Sequence, residues 1–228
     1  MIIHMSRPLP NARAVIFDLD GTLADTFPLI VDSWNAAVSP VMGRKYAPEE
    51  VIARFGPPDT AMIHRELPPH AWQLATETYY AHYEANHATV KAFPGVDDLL
   101  ASLRKRNLPL GIMTGKGRRS ATITLRCLGW LSLFDSIVTG DEALKPKPAP
   151  DGLLMVAAQL HAPPQQCVWV GDSPADMKAG KAAGIYTIAA GWHAAYAGRI
   201  QNLEPDCLAQ SPQQIAALLF PEDSLARA

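Results

Sequence analysis

Asp18 and Asp20 stand two positions apart, directly after the apolar run Ala14-Val15-Ile16-Phe17 and before Gly21-Thr22. Two carboxylates this close suit divided labour, one as a nucleophile and one as a general acid and then base. Other polar groups flank similar apolar runs. Thr114 and Gly115 follow the run from Leu108 to Met113, and Asp172 follows the run that starts at Cys167. Lys147 lies in Lys145-Pro146-Lys147-Pro148-Ala149-Pro150, just before a helical pattern that leads to the Asp172 run. Three carboxylates gathered together repel, and each pair at about 4 Å costs about 4 kcal/mol at an effective dielectric near 20. A hard cation removes that cost. Mg²⁺ is the expected one, because it takes one or two carboxylates plus substrate phosphate. The lysine and the threonine are donors for an anion, and phosphate matches both them and the metal. Phosphate monoesters hydrolyse so slowly unaided that several positioned groups are needed.

Distant residues meet only if the chain brings them to one edge. Ala14-Val15-Ile16-Phe17, Leu108 to Met113, Ser136-Ile137-Val138-Thr139, Cys167-Val168-Trp169-Val170 and Ile185 to Ala189 read as buried parallel strands. Val96, Leu99, Leu100 and Leu103 share one helical face, and Leu153, Leu154, Ala157 and Leu160 share another. Ser173-Pro174-Ala175-Asp176 reads as an N-cap, a first-turn proline and an acidic third position. Strand and helix alternate from Pro94 onward, which predicts an α/β fold with a Rossmann-like parallel sheet core. In such a sheet ligands bind beyond the carboxyl ends of the strands, where Asp18, Asp20, Thr114 and Asp172 would converge.

Residues 25–92 break the alternation. Phe27, Ile30, Trp34 and Val38 step along one helical face, and Trp72, Ala75, Tyr79 and Tyr83 along another, with no convincing strand. The stretch predicts an inserted all-helical cap, with residues 1–24 and 93–228 forming the core.

Composition narrows the classes. The 228 residues are 48% apolar and 18% charged, with mean hydropathy +0.00, which excludes a disordered chain. A net charge of −2 gives no basic surplus for nucleic acid. Cys127, Cys167 and Cys207 lack the spacing of a disulfide framework or a zinc site. The uncharged run from Gly152 to Gly171 is interrupted by Pro163-Pro164, so no membrane span is expected. MIIHMSRPLPNAR lacks a secretory apolar stretch. A cytoplasmic protein, monomer or homodimer, acting on a small phosphorylated metabolite is expected.

Asp18-Leu19-Asp20-Gly21-Thr22, Thr114, Lys147 and Gly171-Asp172-Ser173-Pro174-Ala175-Asp176 occur in that order. In this set the chain resembles the haloacid dehalogenase-like hydrolase superfamily, and within it the phosphoglycolate phosphatase and pyrophosphatase group. The resemblance implies that Asp18 attacks phosphorus to form an aspartyl-phosphate, and that Asp20 protonates the leaving group and later activates water. It implies that Thr114 and the Gly115 N–H hold the transferring phosphate, with Lys147 neutralising it. Asp18, Asp172 and the main-chain carbonyl of Asp20 would ligate Mg²⁺. The aspartate at position 20 favours phosphate-ester chemistry over dehalogenation or phosphonate cleavage. A β-phosphoglucomutase-like phosphotransferase and a non-catalytic phosphate-binding protein remain alternatives.

Other readings compete at single residues. A calcium loop opening at Asp18 would need glycine at its sixth position and glutamate at its twelfth, where Leu23 and Leu29 stand. Asp176 suits a capping box as well as a metal role. Lys145 also precedes a proline, but Lys147 fits the family pattern better. Asp25 and Thr26 are expected to cap the first helix of the insertion, and Trp72, Tyr79 and Tyr83 to form its core. Lys116, Arg118 and Arg119 are expected on a solvated helix start. The loop Arg54-Phe55-Gly56-Pro57-Pro58 is the candidate for substrate selection.

Overall fold

The computed structural model describes residues 5–193 and 204–221. Six strands, β1 (Ala14–Phe17), β2 (Leu110–Met113), β3 (Ser136–Val138), β4 (Cys167–Gly171), β5 (Tyr186–Ala190) and β6 (Cys207–Ala209), form one sheet in the order β3-β2-β1-β4-β5-β6. Every pairing is parallel, with Ile16 opposite Gly111 on one side and Trp169 on the other. The five expected strands are present. The sixth was not anticipated: Cys207-Leu208-Ala209 lacks the β-branched residues that mark the equally short β3.

Parallel strands buried on both faces need apolar residues without alternation, and β1, β2, β4 and β5 are buried at every position. Successive residues then serve opposite faces. Val15, Phe17, Val168 and Val170 join the packing of α5 (Val96–Lys105), α6 (Arg118–Cys127) and α9 (Pro212–Leu219). Ala14, Ile16, Cys167 and Trp169 join that of α7 (Asp151–Gln159) and α8 (Pro174–Ala183). Each large apolar side chain withdrawn from water in this way contributes about 1.5–3 kcal/mol. The order reverses direction between β1 and β4, which opens a crevice at their carboxyl ends.

The segment after β1 contains α1 (Phe27–Met42), α2 (Pro48–Ile52), α3 (Asp59–Glu66) and α4 (Trp72–Ala85), and no strand. Proline in the first turn and Gly43 in the left-handed region bound α1, whose face Phe27, Ile30, Trp34, Ala37 and Val38 is buried. Ser33 Oγ lies 3.0 Å from His82 Nδ1, joining α1 to α4. The two connections to the sheet run side by side: Ala24 bridges Ala92, Asp25 N donates to Lys91 O at 3.1 Å, and Phe93 N donates to Leu23 O at 3.0 Å.

The aromatic face of α4 does more than fill the insertion. Tyr83 Oη lies 2.9 Å from Thr124 Oγ1 on α6, and His87 Nε2 lies 3.1 Å from the same oxygen. Arg119 grips Glu77 through both guanidinium nitrogens, at 2.9–3.0 Å. All three cysteines are free thiols. Among the described residues no helix is long and apolar enough to cross a membrane.

Candidate active site

The crevice is a cavity of about 400 Å³ between the carboxyl edge of the sheet and the helical segment. Asp18, Asp20, Thr114, Gly115, Lys147 and Asp172 all line it, so the folding brings every expected site residue together. Asp18 extends β1, its N–H donating to Val170 O at 2.9 Å. Gly21 makes the turn at φ +82° that returns the chain beneath Asp172. Thr22 then donates its hydroxyl to Asp172 Oδ1 at 3.0 Å. Thr114, 1% exposed, ends β2, and its Oγ1 accepts the Lys116 N–H at 3.2 Å.

Asp18, Asp172 and Asp176 are buried and each offers an oxygen within 4.8 Å of the others. One ammonium serves two of them, Lys147 Nζ standing 3.0 Å from Asp18 Oδ1 and 2.7 Å from Asp176 Oδ1. Lys145 is exposed and does not line the cavity. Asp176 fills the capping-box role expected of it. Its Oδ2 accepts the Ser173 N–H at 2.9 Å, and its own N–H donates to Ser173 Oγ at 3.2 Å, closing a capping box on α8. Its other oxygen fixes Lys147.

The electrostatics follow from this crowding. Burial pushes the Asp18 carboxyl up to about 7, Lys147 opposes the rise, and Asp176 and Asp20 add to it. Asp172 is driven well above the usual carboxylate range by burial and then by Asp176 and Asp18, with the Thr22 hydroxyl and Lys147 opposing. Burial alone would lower Lys147, but the attraction of Asp176 and Asp18 outweighs it and raises the ammonium. Such a cluster is short of positive charge, and an oxygen-liganded divalent cation fits the donor set it presents.

Asp20 makes its own contacts outside the trio. Its Oδ1 accepts the Thr26 hydroxyl at 2.5 Å and lies 3.2 Å from Lys116 Nζ. Two expectations are corrected here. Thr26 occupies the N-cap position of α1, but its side chain accepts no helix N–H there and its hydroxyl donates to Asp20 instead. Lys116 is not on a solvated helix start: it is 5% exposed, with its ammonium 4.7 Å above the Tyr83 ring, and it lines the cavity. Only the packing of α4 against α6, remote in sequence, encloses it. Burial tends to lower Lys116, but Asp20, Tyr83 and Asp59 prevail and raise it.

Asp59 was not anticipated at all. It sits at the start of α3, yet its Oδ2 accepts the Gly117 N–H at 3.1 Å and the Ser120 hydroxyl at 2.5 Å at the start of α6. Tyr79 donates to its Oδ1 at 2.9 Å. Three donors around this carboxylate tie the helical segment to the N-terminus of α6. The candidate loop 54–58 reaches the cavity through Phe55, Gly56 and Pro57. Arg54 does not: Glu66 holds its guanidinium at 2.9 and 3.1 Å.

Comparison with known proteins agrees with this geometry. Residues 15–190 match the family model described as haloacid dehalogenase-like hydrolase. A pyrophosphatase PpaX from Anoxybacillus flavithermus is 32% identical over 212 residues, spanning 92% of this chain and 97% of that one. A phosphoglycolate phosphatase from Chromobacterium violaceum is 34% identical over 195 residues, spanning 81% and 87%. The crystal structure of a predicted phosphoglycolate phosphatase from Haemophilus somnus shares the fold, with a TM-score of 0.81 at 22% identity over 91% of this chain and 98% of that one. With a matching family model over most of its length, full-length relatives and the same architecture, the chain belongs to the haloacid dehalogenase-like hydrolase family.

Proposed function

We propose that this hydrolase is a Mg²⁺-dependent phosphatase that cleaves a small phosphate ester through an aspartyl-phosphate on Asp18. The carrying observation is the convergence of Asp18, Asp172, Asp176 and Lys147 in one buried cluster beside Asp20. The relatives' names make phosphoglycolate-like monoesters and pyrophosphate the first compounds to try.

Asp18, Asp172 and the Asp20 carbonyl would hold Mg²⁺, which when bound supplies positive charge against both the carboxylates and the phosphoryl oxygens. Thr114, the Gly115 N–H and Lys147 orient the phosphate. An Asp18 carboxylate oxygen forms a bond to phosphorus as the ester P–O bond breaks, and Asp20 gives its proton to the departing oxygen. Asp20 then takes a proton from water, whose oxygen attacks phosphorus, releasing phosphate and restoring Asp18. Residues 25–92 act as a cap over this chemistry, with the paired connections at Ala24 and Ala92 as its base.

Phosphate release from an ester panel tests the reading. It should require added Mg²⁺ and cease with a chelator. Unchanged release in the chelator removes the metal from the reaction, and conversion of glucose 1-phosphate to the 6-phosphate without release identifies a mutase instead.

Gly21 tests the metal site from beneath. A Cβ there would lie 2.5 Å from Asp172 Oδ2, at a φ that side chains rarely adopt. Gly21→Ala should displace Asp172 and weaken Mg²⁺ activation by about 10–100-fold. A Mg²⁺ titration that overlays the parent's would mean Asp172 is not a ligand.

A further inference from the structure

The helical segment faces the phosphate site with Phe27, Ile30, Ile52, Phe55, Pro57 and Met62. Among the described residues its only charged side chain lining the cavity is Asp59, an acceptor already occupied by Tyr79, Gly117 and Ser120. Both lysines of the cavity come from the sheet side, and both are engaged. Lys147 is shared between Asp18 and Asp176. Lys116 has its ammonium hidden from solvent, against Asp20 and the Tyr83 ring. The guanidinium of Arg54, closest in sequence to the wall, is bound to Glu66.

A substrate's transferring phosphate goes to Thr114 and Lys147, so its remainder must meet this wall. A carboxylate or a second phosphate there would lose its water, gain no cation and face Asp59. An apolar group would gain by leaving water. We propose that the cavity selects an uncharged, apolar leaving group: a phosphate monoester of a short alkyl or aryl alcohol, in preference to esters whose leaving group carries its own negative charge. The proposal rests on the phosphate-ester reading of the site and narrows it, setting this chain apart from phosphoglycolate and pyrophosphate, the compounds in its relatives' names, each of which carries a second anionic group beside the transferring phosphate.

Non-hydrolysable phosphonates read the wall without chemistry. The probes are butylphosphonate and 3-carboxypropylphosphonate, alike in length and differing in one carboxylate. Their dissociation constants are measured by calorimetry on the parent protein with MgCl2. Butylphosphonate should bind about tenfold tighter or better. Equal or tighter binding of the carboxylated compound overturns the proposal, as does failure of both to bind. Ile52→Arg, which puts a cation on the half-buried part of the wall, should shift the ratio about tenfold or more towards the carboxylated compound. An unmoved ratio in the folded variant counts against the wall as the selector. Phosphate release from the matching esters is scored separately. Selective phosphonate binding without release would sink the hydrolase reading and leave this one standing.

Discussion

Asp18→Asn is expected to cut phosphate release by about 10⁴-fold or more, as loss of a covalent nucleophile does, while the protein stays folded. The amide keeps the shape of the side chain but cannot form the acyl-phosphate. Stability should not suffer. Asp18 is one of three buried carboxylates, and burial, with Asp176 and Asp20 adding to it, raises it to about 7. Lys147 keeps Asp176 at 2.7 Å after the change, so no buried charge is orphaned. Without metal, the variant should melt at the parent's temperature or above it. With metal the order should invert. Mg²⁺ at a hundred times its dissociation constant adds about 2.7 kcal/mol to a site that binds only when folded, roughly 5–10 °C for a chain of this size. Asp18→Asn should forfeit most of that gain. Turnover within tenfold of the parent would refute Asp18 as the nucleophile. An undiminished Mg²⁺ shift would refute it as a ligand.

Asp20→Asn should lower turnover of alkyl phosphates by about 10²–10⁴-fold, the usual worth of a positioned acid–base group. An activated aryl phosphate, whose leaving group needs no proton, should lose much less. Equal loss on both would argue that Asp20 does not donate the proton. Unlike the first variant, this one should also be less stable. The Asn oxygen still accepts from Thr26, but the Lys116 ammonium, buried and 3.2 Å from Asp20, loses its counter-ion. Leaving a buried charge unpaired costs about 3–5 kcal/mol at full burial, and less here because Asp20 is 16% exposed. The two aspartates therefore separate by melting temperature as well as by rate: one sits among like charges, the other holds the partner of a buried cation.

Much of this was readable in one dimension. Buried parallel strands are uninterrupted apolar runs, and a strand that ends in the sheet's crevice is followed by a polar residue that lines it. The steps Phe17 to Asp18, Met113 to Thr114 and Gly171 to Asp172 announce both strand and site. The strand β6 was less legible: at three residues it is as short as β3 but carries no β-branched residue to mark it.

The sequence by itself determined the alternating α/β core, the helical insertion after the first strand and the acidic, lysine and threonine set at the sheet's carboxyl edge, because local period and strand-end residue types encode them. Tertiary structure alone decided what surrounds that set. Lys116 became a buried partner of Asp20, Asp59 crossed to the start of α6, Arg54 turned to Glu66, and an apolar wall closed over the set. Each depends on helices distant in sequence coming to lie against each other, and a side chain's burial and counter-ion are properties of that encounter rather than of its neighbours along the chain.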